Sequence, residues 1–182
     1  MNKIIQLACI VCGFFIFSSN TFADGHFGVT IPSVIISKDP EQTHAYRAIV
    51  WYQPEKFAWG RFNIRFAATA GHWWTNETNY YHTINIYAVA PVFRLYMFNK
   101  PHFSPYFEAS VGPAYMNKTH FADQKLGIHF TFQDEVTIGA LLGQDHGFFA
   151  AISALHYSNC SLSVHNSGIT VPLILNLGYQ FA

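Results

Sequence analysis

The last strand-like run of the chain constrains its fold more than any other stretch. From Leu173 to Phe181 every second residue is large and apolar: Leu173, Leu175, Leu177, Tyr179 and Phe181. Successive side chains of a strand point to opposite faces, so this period lays an unbroken apolar stripe along one face. The pattern recurs upstream. Phe62, Ile64 and Phe66 sit between Arg61, Asn63 and Arg65, and Ile128, Phe130 and Phe132 lie beside His129, Thr131 and Gln133. Eight strand-like segments follow from such runs, at about 26–36, 44–53, 57–70, 83–98, 104–115, 127–142, 146–158 and 169–181.

What the apolar faces meet is decided by composition. The chain is 18% aromatic and only 11% charged, against about 25% charged in an ordinary soluble domain. Met1 to Ala23 reads as a secretory signal, with Asn2-Lys3 ahead of a mostly apolar run from Ile4 to Phe17 and small residues before the expected cleavage. No later run approaches the roughly 20 apolar residues of a spanning helix. An exported, aromatic, charge-poor chain of this kind fits an all-β fold over 24–182, an eight-stranded antiparallel transmembrane β-barrel. Connections agree: links near Pro54-Glu55-Lys56, Asn99 to Phe103 and Gly143-Gln144-Asp145 are short. Those near Ser37 to Thr43, Gly71 to His82, Met116 to Leu126 and Asn159 to Gly168 are longer and polar. Short and long links alternate as periplasmic turns and extracellular loops do. A soluble lipocalin-type barrel would share the strand count, but its outside should be polar rather than lined with Phe and Leu.

Several function classes drop out. Basic and acidic residues balance at ten each, so no charge argument points to nucleic acid or to a polybasic membrane anchor. The histidines lack metal-ligand spacing and no Gly-rich phosphate loop occurs, so neither a metal nor a cofactor is expected. Cys9 and Cys12 leave with the signal, which makes Cys160 the lone mature thiol, read as a small space-filler. Arg65, Arg94 and Glu108 fall on consecutive strands and are expected to meet in the lumen as a plug-like network. Trp51, Trp59, Trp73 and Trp74, with Tyr80 and Tyr81, are expected in the interfacial girdles.

The chemistry centres on His156-Tyr157-Ser158-Asn159. His156 and Ser158 share a strand face, and an imidazole beside a hydroxyl is the minimum for generating an alkoxide nucleophile. With an even strand count both termini lie on the periplasmic side, so the seventh strand runs outward and carries the pair towards the outer leaflet. Phe148, Ala150, Ile152 and Ala154 share their parity and make a stripe suited to lipid. Phe149, Ala151, Ser153, Leu155 and Tyr157 fall on the other face, and alternation alone leaves either face free to be the lumen. Taken singly, a His-x-Ser pair is more often a belt histidine beside a small polar residue, and Asn159 and Asn166 are equally good turn caps.

Followed by Asn166-Ser167-Gly168-Ile169 ahead of a final strand, the motif resembles the lipid A 3-O-deacylase (PagL) family. Supporting similarity lies in Gly60-Arg61-Phe62, in Ala90-Pro91-Val92-Phe93-Arg94 and in Phe130-Thr131-Phe132-Gln133-Asp134. The resemblance implies an outer-membrane barrel whose site faces lipid and hydrolyses the 3-linked hydroxyacyl ester of lipid A in lipopolysaccharide. It implies Ser158 as nucleophile, His156 as general base, oxyanion donors among the backbone amides from Asn159 to Ser161, Asn166 as a loop pin and Asp134 as a contact to the sugar. Two positions depart from the family. Thr170 stands where its best-known members carry an acidic residue; threonine fixes the imidazole tautomer but supplies no charge, which implies slower turnover. Ser161 stands where glycine is common. Alternation also puts Thr170 on the face opposite Leu173 to Phe181, unless Pro172 forces a bulge. Pairing of two barrels as a homodimer is left open, and so are two other functions, a non-catalytic adhesin or structural barrel and an outer-membrane phospholipase.

Overall fold

The computed structural model of the chain describes residues 25–38, 40, 42–76, 81–143 and 147–181. The expected signal over Met1 to Ala23, and Tyr80, lie outside these. Eight long strands build the fold: β1 (Gly25–Ile36), β2 (Thr43–Pro54), β3 (Phe62–Thr75), β4 (Thr83–Tyr96), β5 (His102–Met116), β6 (Phe130–Gly143), β7 (Phe148–Ser158) and β8 (Ile169–Phe181). Each pairs antiparallel with its neighbours in the chain, and β8 pairs back with β1, so the sheet closes into an eight-stranded barrel. Closure leaves no open edge, which hydrocarbon surroundings demand of a sheet because they offer no water to unpaired backbone groups.

Boundaries differ from the sequence reading in one informative place. β3 starts at Phe62, not near 57, because a 3-10 turn over Glu55–Phe57 leads into Ala58–Trp59, which folds back onto Phe62 and Asn63. Gly60, at φ +60°, makes that reversal, a left-handed position that glycine adopts at no steric cost. The link over 55–61 is therefore no shorter than the link over 37–42, and the strict short–long alternation fails there. It holds elsewhere, where 76–82, 117–129 and 159–168 exceed 97–101 and 144–147.

The outside is apolar. Val89, Val111, Val136, Ile138, Ile152 and Leu177 are each about half exposed along their strands. Among the described residues no helix is long and apolar enough to cross a membrane. A barrel with this belt sits in a bilayer by its strands.

The inside has two layers. At mid-height Glu108 accepts hydrogen bonds from Arg65 Nη2 (2.7 Å) and Arg94 Nε (2.6 Å), so the expected network forms. Arg65 also lies over the Trp51 ring (4.5 Å) and Arg94 over the Tyr106 ring (4.1 Å). A second network escaped the sequence reading: Arg47 Nη2 meets Glu135 Oε2 at 3.0 Å, Ser153 Oγ donates to Glu135 Oε1, and Asn176 Nδ2 donates to Ser153 Oγ, both at 2.8 Å. Above these, towards the long loops, Trp73, Ile84, Ile86, Met116, Leu155 and Tyr157 form an apolar core. Trp51 and Trp73 are thus buried lumen residues rather than girdle residues, because odd-numbered positions of β2 and β3 face inward. Trp59 and Tyr81 are exposed near strand ends, as expected of a girdle.

The 117–129 link closes the mouth. His120–Phe121 pairs with Gln124–Lys125 as a small ribbon, and Phe121 and Leu126 are buried against the apolar core.

Candidate active site

β7 fixes the two central side chains. Ala151, Ser153, Leu155, Tyr157 and Asn159 are buried, while His156 and Ser158 are half-buried and share the outer face with Ile152, which is exposed. The pair therefore faces lipid, at the strand end next to the long 159–168 link. Behind it the wall is locked from inside. Tyr157 OH donates to Gln133 Oε1 at 3.0 Å, and the Tyr157 ring stands edge-on to Trp73, with centroids 6.1 Å apart. A side chain carried on a packed strand keeps its direction better than one on a free loop.

Thr170 reaches the same face through an irregularity in β8. Ser153 pairs with Ile174 but Leu155 pairs with Val171, so Pro172 and Leu173 together oppose Ala154. Both are exposed, which flips the parity of everything before them. A proline has no N–H to give to a ladder, and an extra residue at that point is the ordinary way to accommodate one. The bulge brings Thr170 directly opposite His156, with Thr170 Oγ1 at 3.0 Å from His156 Nδ1.

The other nitrogen, Nε2, has no hydrogen bond among the described residues. Its edge of the ring lies by Gly168, where a Cβ would come to 3.0 Å from Cε1 and 3.6 Å from Nε2. Ser158 Oγ makes no hydrogen bond to His156 here and has Cys160 Sγ at 3.9 Å. The hydroxyl turns about a single χ1 bond, and such contacts commonly tighten only when substrate is bound.

The turn after Ser158 has an unusual backbone. Leu162 N donates to Asn159 O at 3.0 Å, and the two central residues, Cys160 (φ +51°) and Ser161 (φ +63°), are both left-handed. This is the mirror-image turn that normally selects glycine or asparagine. Asn159 is spent on the loop itself: its N–H donates to Asn166 Oδ1 (2.9 Å), and its Nδ2 donates to Leu126 O (2.8 Å) and His165 O (2.7 Å). Asn166 thus holds the loop. Among the described residues no acceptor engages the backbone N–H groups of Cys160 and Ser161, next to Ser158 in the chain. Cys160 is exposed, not the space-filler that its size suggested.

Support also comes from the mouth ribbon, a contribution no local motif could reveal. Ser167 N donates to Lys125 O (3.1 Å) and Lys125 N to Ser167 Oγ (3.3 Å), tying the two long links together. On the other flank of His156, Asp134 of β6 is its register partner and is half-buried on the same outer face. Among the described residues no cluster of His, Cys, Asp and Glu could hold a metal ion.

Comparison with known proteins agrees with the fold. Residues 45–180 match the family model described as lipid A 3-O-deacylase (PagL). The chain is 28% identical over 123 residues to the lipid A deacylase PagL of Bordetella bronchiseptica, covering 68% of this chain and 65% of that one. It is 40% identical over 80 residues to the lipid A deacylase PagL of Pseudomonas aeruginosa, covering 44% of each. The matches thus span just under two thirds of the first relative and less than half of the second. In fold it is similar to the crystal structure of the outer membrane enzyme PagL, with a TM-score of 0.64 and 23% identity over 86% of this chain and 99% of that one. With a bilayer-facing eight-stranded barrel, His156 and Ser158 on its outer wall and a family match across most of its length, the chain belongs to the lipid A 3-O-deacylase (PagL) family.

Proposed function

We propose that this protein is an outer-membrane serine esterase that removes the 3-linked hydroxyacyl chain of lipid A, with lipopolysaccharide of the outer leaflet as substrate. One observation carries the reading: in a chain of this family, a serine and a histidine sit two residues apart on the lipid-facing wall, and Nδ1 of the histidine is held by Thr170. An expected signal over Met1 to Ala23 would deliver such a chain to the envelope.

Lipopolysaccharide diffuses laterally to the wall between β6 and β8. In the tautomer that keeps hydrogen on Nδ1, the imidazole donates to Thr170 Oγ1 and leaves the Nε2 lone pair free to take a proton. Ser158 Oγ attacks the ester carbonyl as its proton passes to Nε2. The carbonyl oxygen becomes an oxyanion, and the Cys160 and Ser161 N–H groups are its donors. The tetrahedral adduct collapses; the sugar 3-oxygen leaves and takes the proton from Nε2, and Ser158 keeps the acyl group. Water from the headgroup side then attacks, its proton goes to Nε2, and the adduct breaks down. The hydroxy fatty acid departs while the proton returns to Ser158 Oγ. The chemistry is complete within one chain and needs no cofactor.

Mass spectrometry of lipid A tests it. Expressed in a bacterium with fully acylated lipid A, the chain should remove one 3-hydroxyacyl mass, and Ser158→Ala should abolish the loss. Unchanged lipid A with accumulating lysophospholipid would instead favour a phospholipase. No lipid change from a properly inserted barrel would end the esterase reading.

A further inference from the structure

The neutral Thr170 leaves a problem that the neighbouring strand solves. When Ser158 gives up its proton, His156 becomes an imidazolium at the edge of a lipid phase, where an uncompensated charge is unfavourable. Its hydrogen-bond partner, Thr170 Oγ1, carries a dipole and no charge. His156 lies in a cross-strand row of three, Asp134 on β6, His156 on β7 and Thr170 on β8. Directly opposed residues on one sheet face hold their Cβ atoms about 5 Å apart, close enough for their side chains to interact. The adjacent acid, Glu135, is the register partner of Leu155 and is turned inward to Arg47. Asp134 is different: it is half-buried, shares the outer face, and its carboxylate is not engaged by any described cation.

We infer that Asp134 is the positioning carboxylate of this site, stabilising the His156 imidazolium from β6 across the ring from Thr170. This rests on the esterase reading above for its mechanism but differs from a sugar-contacting role for Asp134, because it acts through His156 and needs no headgroup. Across such a cross-strand pair, at an effective dielectric of about 20, a carboxylate favours the imidazolium and speeds serine activation by roughly tenfold to a hundredfold.

The test reads serine activation without lipid A. The full chain, and the variants Asp134→Asn, Thr170→Glu and the double variant, are folded in detergent micelles and checked by heat-modifiable gel migration. Each is then reacted with a fluorophosphonate, and the second-order rate of Ser158 labelling is measured, alongside kcat and KM on lipid A. Asp134→Asn should slow labelling tenfold or more and lower kcat with little change in KM. Thr170→Glu should restore labelling in the Asp134→Asn background, because a carboxylate then meets the same ring from its other flank. A rise in KM with unchanged labelling would mean that Asp134 contacts the sugar, and the inference fails. It fails equally if Thr170→Glu gives no rescue, or if the unaltered chain is not labelled. Labelling with the expected ratios but no lipid A turnover would retain Asp134's role and remove the lipid A reading alone.

Discussion

His156 and Thr170 face each other across β7 and β8, with Nδ1 and Oγ1 3.0 Å apart, only because β8 gains a residue at Pro172-Leu173. The contact orients the ring without adding charge. Thr170→Ala should lower kcat about fivefold, the worth of one neutral hydrogen bond near 1 kcal/mol. Thr170→Glu should raise it above the unaltered chain. Lipid A turnover in micelles measures both, and an unaffected Thr170→Ala would show that the ring is held by something else.

Asn159 is a structural keystone of the site. Removing its amide in Asn159→Ala deletes one of the two donors to the buried carbonyl of Leu126, which keeps Ile128 N, and the donor to His165 O. Each hydrogen bond lost is worth about 1 kcal/mol. The 159–168 link should become sensitive to added protease while the barrel keeps its heat-modifiable migration, and activity should fall with the turn. Protection equal to that of the unaltered chain would contradict this.

Glycine chemistry separates two neighbours. Ser161, at φ +63°, adopts a conformation that costs a side chain roughly 1 kcal/mol, so Ser161→Gly should stabilise the turn by about that amount. Gly168→Ala should do the reverse. Its φ is +73°, and the added Cβ would lie 2.9 Å from Tyr157 O and 3.0 Å from His156 Cε1. The variant should lose most activity by displacing the imidazole. Urea unfolding in bilayers and lipid A turnover together check the pair.

Glu108 compensates two guanidinium groups in the lumen. Glu108→Gln leaves Arg65 and Arg94 buried with no carboxylate, a change expected to destabilise by about 3–5 kcal/mol. The urea midpoint should drop sharply with the site itself untouched. A small shift would mean that lumen water or the stacked rings of Trp51 and Tyr106 carry the charge.

Much of this was legible along the chain, because a barrel wall has a period of two. Phe62 to Phe66 and Leu173 to Phe181 declared their outer faces by alternation, and the same parity set Arg65, Arg94 and Glu108 inside. Arg47 and Glu135 obeyed it too, yet passed unnoticed. Arg47 stands between Tyr46 and Ala48, and Glu135 beside a second acid, so neither stood out; reading the inward parity of β2 and β6 would have found both. Trp51 and Trp73 follow the inward parity of their strands rather than the interfacial preference of their residue type.

What the sequence determined by itself was the closed, lipid-facing barrel and the histidine and serine that share one strand face, since both follow from local alternation. What only the tertiary structure decided lies in relations between strands and between loops: which side of β7 is the lumen, the bulge that turns Thr170 to His156, the row that adds Asp134, and the Leu126 and Lys125 contacts that hold the turn. The physical reason is that register, bulges and loop docking are set by packing between segments far apart in the chain, and no local period encodes them.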